Sequence, residues 1–227
     1  MKSSPLEKAP AAEKAGAKIY TPITLAVYDL WVLRFSNHLA WRHPTREMLG
    51  LYNAHLSADH LDIGPGTGWY LREAIFPSAT PTVTLFDLNP NPLAVTSRRL
   101  RRSGINPATH LGSVLEPLGL RQFDSVAANF LMHCVPGSWS QKSIAFRHIA
   151  NVTSVQGVFF GSSILTQGVP TNFLGRALAR VYNSIGTFHN ATDDFDGLKE
   201  ALLESFSDVD ITVHGSVATW SARSPRR

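Results

Sequence analysis

The sequence predicts an α/β fold built on one open, mostly parallel sheet, and three observations carry that prediction. The short apolar run His60-Leu61-Asp62-Ile63 stops at Gly64, Gly66 and Gly68, and Trp69 to Phe76 then reads as a helix. Strand, glycine turn and helix start is how such a sheet presents a nucleotide-like ligand at the carboxyl end of a strand. Thr82–Asp87 and Phe123–Asn129 are short, near-continuous apolar runs, suited to strands buried on both faces. Finally, Asp208–Val213 and Gly215–Arg223 alternate like an antiparallel hairpin turned at His214-Gly215, which argues against an all-parallel sheet.

The remaining elements follow in order. Ile23, Val27, Leu30, Trp31 and Phe35 recur at helical spacing after Thr21-Pro22, and predict a helix over Ile19 to Phe35. Pro44 suits the first turn of a second helix with Met48, Tyr52 and Leu56 on one face. Pro92 to Arg102 is helical and Gly104 stops it; Thr109 to Leu115 gives a third strand and its exit. A helix over Ser138 to Val152, a fifth strand over Val158 to Leu165, and helices over Thr171 to Tyr182 and Asp194 to Phe206 complete the pattern. No internal repeat or low-complexity linker interrupts it. Residues 19–227 therefore read as a single domain with 19–57 as a helical lid, preceded by a disordered tail over 1–18.

The glycine turn narrows the ligand. A dinucleotide loop would place its third glycine at position 69, where Trp69 stands, and a Walker loop needs a lysine that no position between Leu61 and Arg72 supplies. The loop suits a ligand with an adenosine end and no phosphate, and S-adenosylmethionine (SAM) fits. Leu-Asp-x-Gly-x-Gly-x-Gly here resembles motif I of the class I SAM-dependent methyltransferases, and that resemblance extends over most of the chain from Tyr20. It implies a Rossmann-like, seven-stranded sheet with a reversed C-terminal hairpin. It also implies Asp62, Gly64, Pro65, Gly66 and Gly68 at the methionine end of SAM. Asp87, at the end of the second strand with Leu88 beside it, matches motif II, whose acid accepts both ribose hydroxyls. A helix N-cap is the competing reading of Asp87.

Further along, the family commonly has Gly-Asp after the third strand, the acid accepting the adenine amino group. Gly112-Ser113 stands there instead, a weaker acceptor, with Val114 and Leu115 as apolar surface for the ring. Asn129-Phe130 and the stretch Leu131 to Gly137 resemble motif IV, beside the SAM methyl group. His133 is the titratable residue of that stretch and the candidate general base, given an ordinary pKa near neutrality; a structural histidine is the alternative. Tyr28-Asp29, Ser36 and Trp41-Arg42 resemble the lead-in of the ubiquinone/menaquinone C-methyltransferase branch. On that likeness Tyr20, Tyr28, His38, Trp41 and His43 are lid and substrate candidates. Tyr182, Asn183, Phe188 and His189 join them from a loop expected at the carboxyl face, where substrate choice resides.

Composition bounds the rest. At 227 residues, 44% hydrophobic and 17% charged, the chain is globular and can bury a sizeable core. No apolar run reaches the length of a membrane span, and Met1 to Lys18 lacks the apolar centre of a secretory signal. The single cysteine, Cys134, excludes an internal disulfide and a multi-cysteine metal site, so a cytoplasmic location and no metal are expected. Net charge is +4. Arg98, Arg99, Arg101 and Arg102 cluster on one helix without interleaved aromatics, which favours a solvated face over a nucleic-acid footprint. The expected function is SAM-dependent methylation of a small acceptor, of the kind met in secondary metabolism. The alternatives are a SAM-binding protein that does not methylate and a nucleic-acid methyltransferase. The latter lacks its usual Asn/Asp-Pro-Pro-Tyr/Phe sequence, since Asn129-Phe130-Leu131-Met132 occupies that place.

Overall fold

The computed structural model describes residues 40–227. The predicted helix over 19–35, the tail over 1–18 and the candidates Tyr20, Tyr28 and His38 lie outside them. Seven strands form one sheet: β1 Asp59–Ile63, β2 Thr82–Asp87, β3 Ala108–Leu111, β4 Phe123–Asn129, β5 Thr153–Ile164, β6 Phe206–His214 and β7 Val217–Pro225. The helices are α1 Thr45–His55, α2 Trp69–Glu73, α3 Pro90–Arg101, α4 Trp139–Val152, α5 Phe173–Ser184 and α6 Phe195–Ser205, with a short 3-10 turn at Met132–Cys134. Strand order is β3-β2-β1-β4-β5-β7-β6. The pairs among β1 to β5 are parallel, whereas β7 runs antiparallel to β5 and β6 to β7. The predicted architecture, hairpin included, is the observed one.

Continuous apolar strands work here because alternate side chains serve two different layers. On β4, Val126 and Ala128 join the core beneath α4 and α6, while Ala127 joins the core beneath α1, α2 and α3. On β5, Phe159 takes the first side and Val158 and Phe160 the second. Met48 and Tyr52, one turn apart on α1, are its buried residues. The antiparallel pairing of β5 with β7 is fixed at Gly161, opposite Trp220. A Cβ on Gly161 would lie 2.4 Å from the Trp220 ring, so only glycine lets this buried indole lie across the strand.

Several boundaries differ from the expected ones, each for a local reason. α2 ends at Glu73 rather than Phe76: Ala74 is extended, and the Asn53 side chain accepts the Ile75 N–H at 2.9 Å. Ile75 is 74% exposed, so continuing the helix would bury nothing there. α3 starts two residues earlier than expected. The Asn89 side chain accepts the Asn91 N–H at 2.9 Å, and Pro90 fills the first helical position. β5 begins five residues early, extending through an irregular register against Phe123 and Ser125. The hairpin loop is Gly215-Ser216, since His214 pairs with Val217. No helix among the described residues is long and apolar enough to cross a membrane.

One fully buried ion pair lies inside this frame. Lys142 Nζ on α4 donates to both carboxyl oxygens of Asp193, at 2.9 and 2.7 Å, and to the His189 carbonyl at 2.9 Å. Both side chains are completely buried, and the ammonium also lies 4.9 Å from the Trp139 ring centre. Removing one partner strands the other's charge. Asp193→Ala is therefore expected to lower unfolding free energy in urea by about 3–5 kcal/mol. Arg121→Ala, which breaks the exposed pair with Asp59, should change it by less than about 1 kcal/mol.

Candidate functional site

Parallel strands place all their carboxyl ends on one edge, and the chain reverses its direction of travel across the sheet between β1 and β4, the usual ligand crevice of open α/β sheets. That edge gathers Gly64 after β1, Asp87 at the end of β2, Ser113 after β3 and Asn129 at the end of β4.

The turn after β1 requires its glycines. Gly64, Gly66 and Gly68 have φ of 67°, 57° and 69°, a region L side chains avoid. A Cβ on Gly64 would meet Leu131 at 2.9 Å and one on Gly68 would meet Thr96 at 2.5 Å, whereas Gly66 faces open space. α3 braces the turn from behind: Thr96 Oγ1 donates to the Gly66 carbonyl at 3.0 Å, and Arg99 donates to Thr67 Oγ1 at 3.2 Å. One of the four clustered arginines thus supports the loop. Arg98, Arg101 and Arg102 instead line an open hollow between α3 and the edge strand β3 with Leu93, Thr109 and Leu111.

Asp62 is buried at the end of β1, and its Oδ2 accepts the Tyr52 hydroxyl at 2.9 Å. His60 Nε2 lies 3.5 Å from the same oxygen, and its Nδ1 contacts Ser125 Oγ at 2.8 Å. Burial first, and Asp62 second, raise the Tyr52 pKa well above the usual phenol value, so Tyr52 stays a donor. In the sequence Tyr52 reads as a packing-face residue, and nothing there gives His60 a role. Helical spacing signals burial, and only the tertiary contact turns the hydroxyl toward the acid.

Asp87 is not the helix cap; Asn89 is. Asp87 Oδ1 accepts the Asn89 N–H at 2.8 Å, which aims the carboxyl group toward the crevice edge. Burial pushes its pKa up to about 7, opposed by backbone N–H groups of Asn89 and Leu88 and assisted by the charge of Asp62. Asn129 is buried at the end of β4, its amide within reach of the Tyr52 hydroxyl. Ser113 is buried as well, its Oγ accepting the Leu115 N–H at 3.1 Å. Val114 belongs to the main core and Leu115 packs at its margin.

Beyond β4 the chain forms an aromatic box. Phe130 takes a positive φ of 52°, its N–H shared between the backbone and side-chain oxygens of Ser162 at 3.0 Å each. The His133 ring lies edge-on to Phe188 at 4.4 Å and 6.2 Å from Phe130. Tyr182 and Trp41 pack on Phe188 at 4.7 and 6.1 Å. The loop is pinned by the His189 N–H donating to the His133 carbonyl at 2.7 Å and by Lys142 beneath it. Asn183 is a lock in this loop, exchanging hydrogen bonds with Asn190. Trp41, Tyr182, His189 and His133 are thus brought together. His43 is not; it faces Glu47 and His214.

One expectation is overturned in its electrostatics. His133 was expected near its ordinary pKa, but burial and the Lys142 charge lower it to about 3. The imidazole is neutral at any working pH and a poor proton acceptor.

Comparison with known proteins adds the following. A family model described as a methyltransferase domain matches residues 61–161. The chain is 42% identical over 205 residues to a demethylluteothin O-methyltransferase of Streptomyces thioluteus, covering 89% of this chain and 88% of that protein. It is 39% identical over 215 residues to a physcion biosynthesis cluster O-methyltransferase of Aspergillus chevalieri, covering 93% and 96%. A solved DhpI–S-adenosylhomocysteine complex superposes with a TM-score of 0.58 at 15% identity, over 95% of this chain and 98% of that one; it shows the shared fold.

The raised pKa of Asp87 makes its candidate role testable. Ribose hydroxyls donate best to an ionised carboxylate, which prevails only above about pH 7. Calorimetric affinity for S-adenosylhomocysteine should fall about tenfold from pH 8 to pH 6. In Asp87→Ala it should be weaker by about 1.5–3 kcal/mol, and the pH dependence should vanish.

Proposed function

The chain belongs to the class I SAM-dependent methyltransferases that act on small molecules, and from that premise we propose that it methylates an acidic hydroxyl, phenolic or enolic, of a planar acceptor. The side chains at the crevice fit SAM. A glycine turn that a Cβ would obstruct, an acid at the end of β2 and a buried amide at the end of β4 supply a close backbone approach, a ribose acceptor and a polar group. In this reading Gly64 to Gly68, with Asp62 behind them, and Asn129 hold the methionine end. Asp87 with Leu88 holds the ribose, and Ser113, Val114, Leu115 and Phe130 flank the adenine and methyl ends. When bound, SAM supplies an electrophilic methyl group on a sulfonium.

The acceptor class rests on one observation, the neutral, buried His133 within an aromatic box. Phe130 and Tyr182, half-buried over the buried Phe188 and Trp41, offer flat apolar surface to a ring, and orientation supplies most of the rate. His133, buried behind Phe130 and Phe188, is a positioning group, because burial first and the Lys142 charge second disfavour an imidazolium. The hydroxyl must then ionise largely through its own acidity, which a phenol or enol, with a pKa of about 10 or lower, does far more readily than an aliphatic alcohol. The O-methyltransferase names of the two relatives support oxygen as the atom methylated. Arg98, Arg101 and Arg102 border no aromatic ring in their hollow, which supports a solvated face over a nucleic-acid partner.

A panel of ring-substituted naphthols and phenols of graded acidity, assayed by mass spectrometry, tests the reading. Rates should rise with the ionised fraction of the acceptor, and aliphatic alcohols should give no product. His133→Asn is expected to lose at most about 100-fold, the lower end of a general base's worth, with an unchanged pH–rate profile. A rising limb that disappears in His133→Asn, or in His189→Asn, would assign the proton to that histidine and sink the proposal.

A further inference from the structure

Away from the crevice, on the far side of Trp41, three side chains from two distant parts of the chain converge. His43 precedes α1, Glu47 lies in its first turn, and His214 ends β6. Glu47 Oε2 lies 3.7 Å from His43 Nδ1 and 2.6 Å from His214 Nδ1, and the candidate ligand atoms all fall within 4.8 Å of one another. The two imidazoles meet nearly edge to face at 5.8 Å. We propose that His43, Glu47 and His214 form a binding site for a divalent transition metal of the zinc class, with the fourth position open to water.

Two features separate this cluster from an ordinary surface contact. His43 is 2% exposed, yet neither of its ring nitrogens has a hydrogen-bond partner. The His214–Glu47 contact satisfies those two residues and leaves His43 as an orphan beside them; a metal gives its lone pair a use. The neutral imidazole is the form that ligates. Tetrahedral zinc with bonds of about 2.0–2.1 Å places its ligands about 3.4 Å apart, and the observed separations bracket that spacing. Glu47 and His214 are partly exposed, which gives the ion a way in.

The backbone around the cluster is already held. The Ser216 N–H donates to the Trp41 carbonyl at 3.1 Å. A Cβ on Gly215, whose φ is 61°, would meet that carbonyl at 2.3 Å. Arg42 takes a positive φ of 56° as the chain passes over the hairpin. A bound ion would therefore staple the Trp41–Glu47 segment to the β6–β7 turn, and so fix Trp41 against Phe188 on the wall of the aromatic box.

The test is equilibrium dialysis of the full chain against zinc, followed by elemental analysis, with cobalt substitution to report geometry. It needs neither cofactor nor acceptor. One zinc per chain is expected at micromolar free zinc, with the visible bands of tetrahedral cobalt. His214→Ala and Glu47→Gln alter partly exposed side chains, so both should keep the native circular dichroism spectrum. Each should bind the ion at least about 100-fold more weakly, more than the loss of a group that merely supports a ligand. No bound zinc in the native chain, or native stoichiometry and affinity in either variant, would overturn the site.

Discussion

The turn from β1 into α2 is the constraint on which the site depends. Three consecutive alternate residues at positive φ cannot be built from L side chains without strain, so the backbone there is bare by necessity. Bareness brings the chain close to a ligand, and it also removes the side chains that would stiffen the loop. The structure restores stiffness from outside. Thr96 and Arg99 of α3 hydrogen-bond the loop from behind, and Leu131 closes against Gly64 from above. The parallel register then does the rest, because β1, β2 and β4 are in step and their last residues arrive side by side.

Charge in the site is managed by burial. Asp62 is enclosed with the hydroxyl of Tyr52 directed at it, so the acid is partnered while the loop beyond it stays open. Lys142 and Asp193 form a sealed pair under the aromatic box. Such pairs contribute little net stability, but this one has two further effects. It fastens the His189 backbone from below, and its positive end adds to the burial that lowers the His133 pKa. The same lysine thus holds the loop and contributes to the proton affinity of the imidazole above it.

What could be read from the sequence was whatever depends on local pattern. Strand runs, the glycine spacing, the acid about 25 residues beyond Asp62 and the terminal alternation are all short-range signals, and the sheet followed from them. Helix ends were less legible: the early stop of α2 depends on Asn53, 22 residues away, and on the lack of anything for Ile75 to bury. Roles that need a partner from elsewhere were not legible at all. Tyr52 reads as an apolar-face residue until Asp62 is seen beside it. The titration of His133 depends on a lysine from the next helix. The His43–Glu47–His214 cluster joins residues 167 positions apart that share no sequence motif.

Ser113 shows how these constraints interact. The family pattern would have a third acid there, on the strand next to Asp87, where the Gly112 N–H already donates to the Asp87 carbonyl at 3.0 Å. Burial, and to a lesser degree the charge of Asp62, raise the Asp87 pKa to about 7. A further carboxylate close by would raise it again by like-charge repulsion, leaving Asp87 protonated at neutral pH. Serine avoids that load, and its hydroxyl accepts the Leu115 N–H. With serine in place of an acid, Asp87 and the glycine turn are the polar features that the end of β2 and the bare backbone after β1 present at this edge.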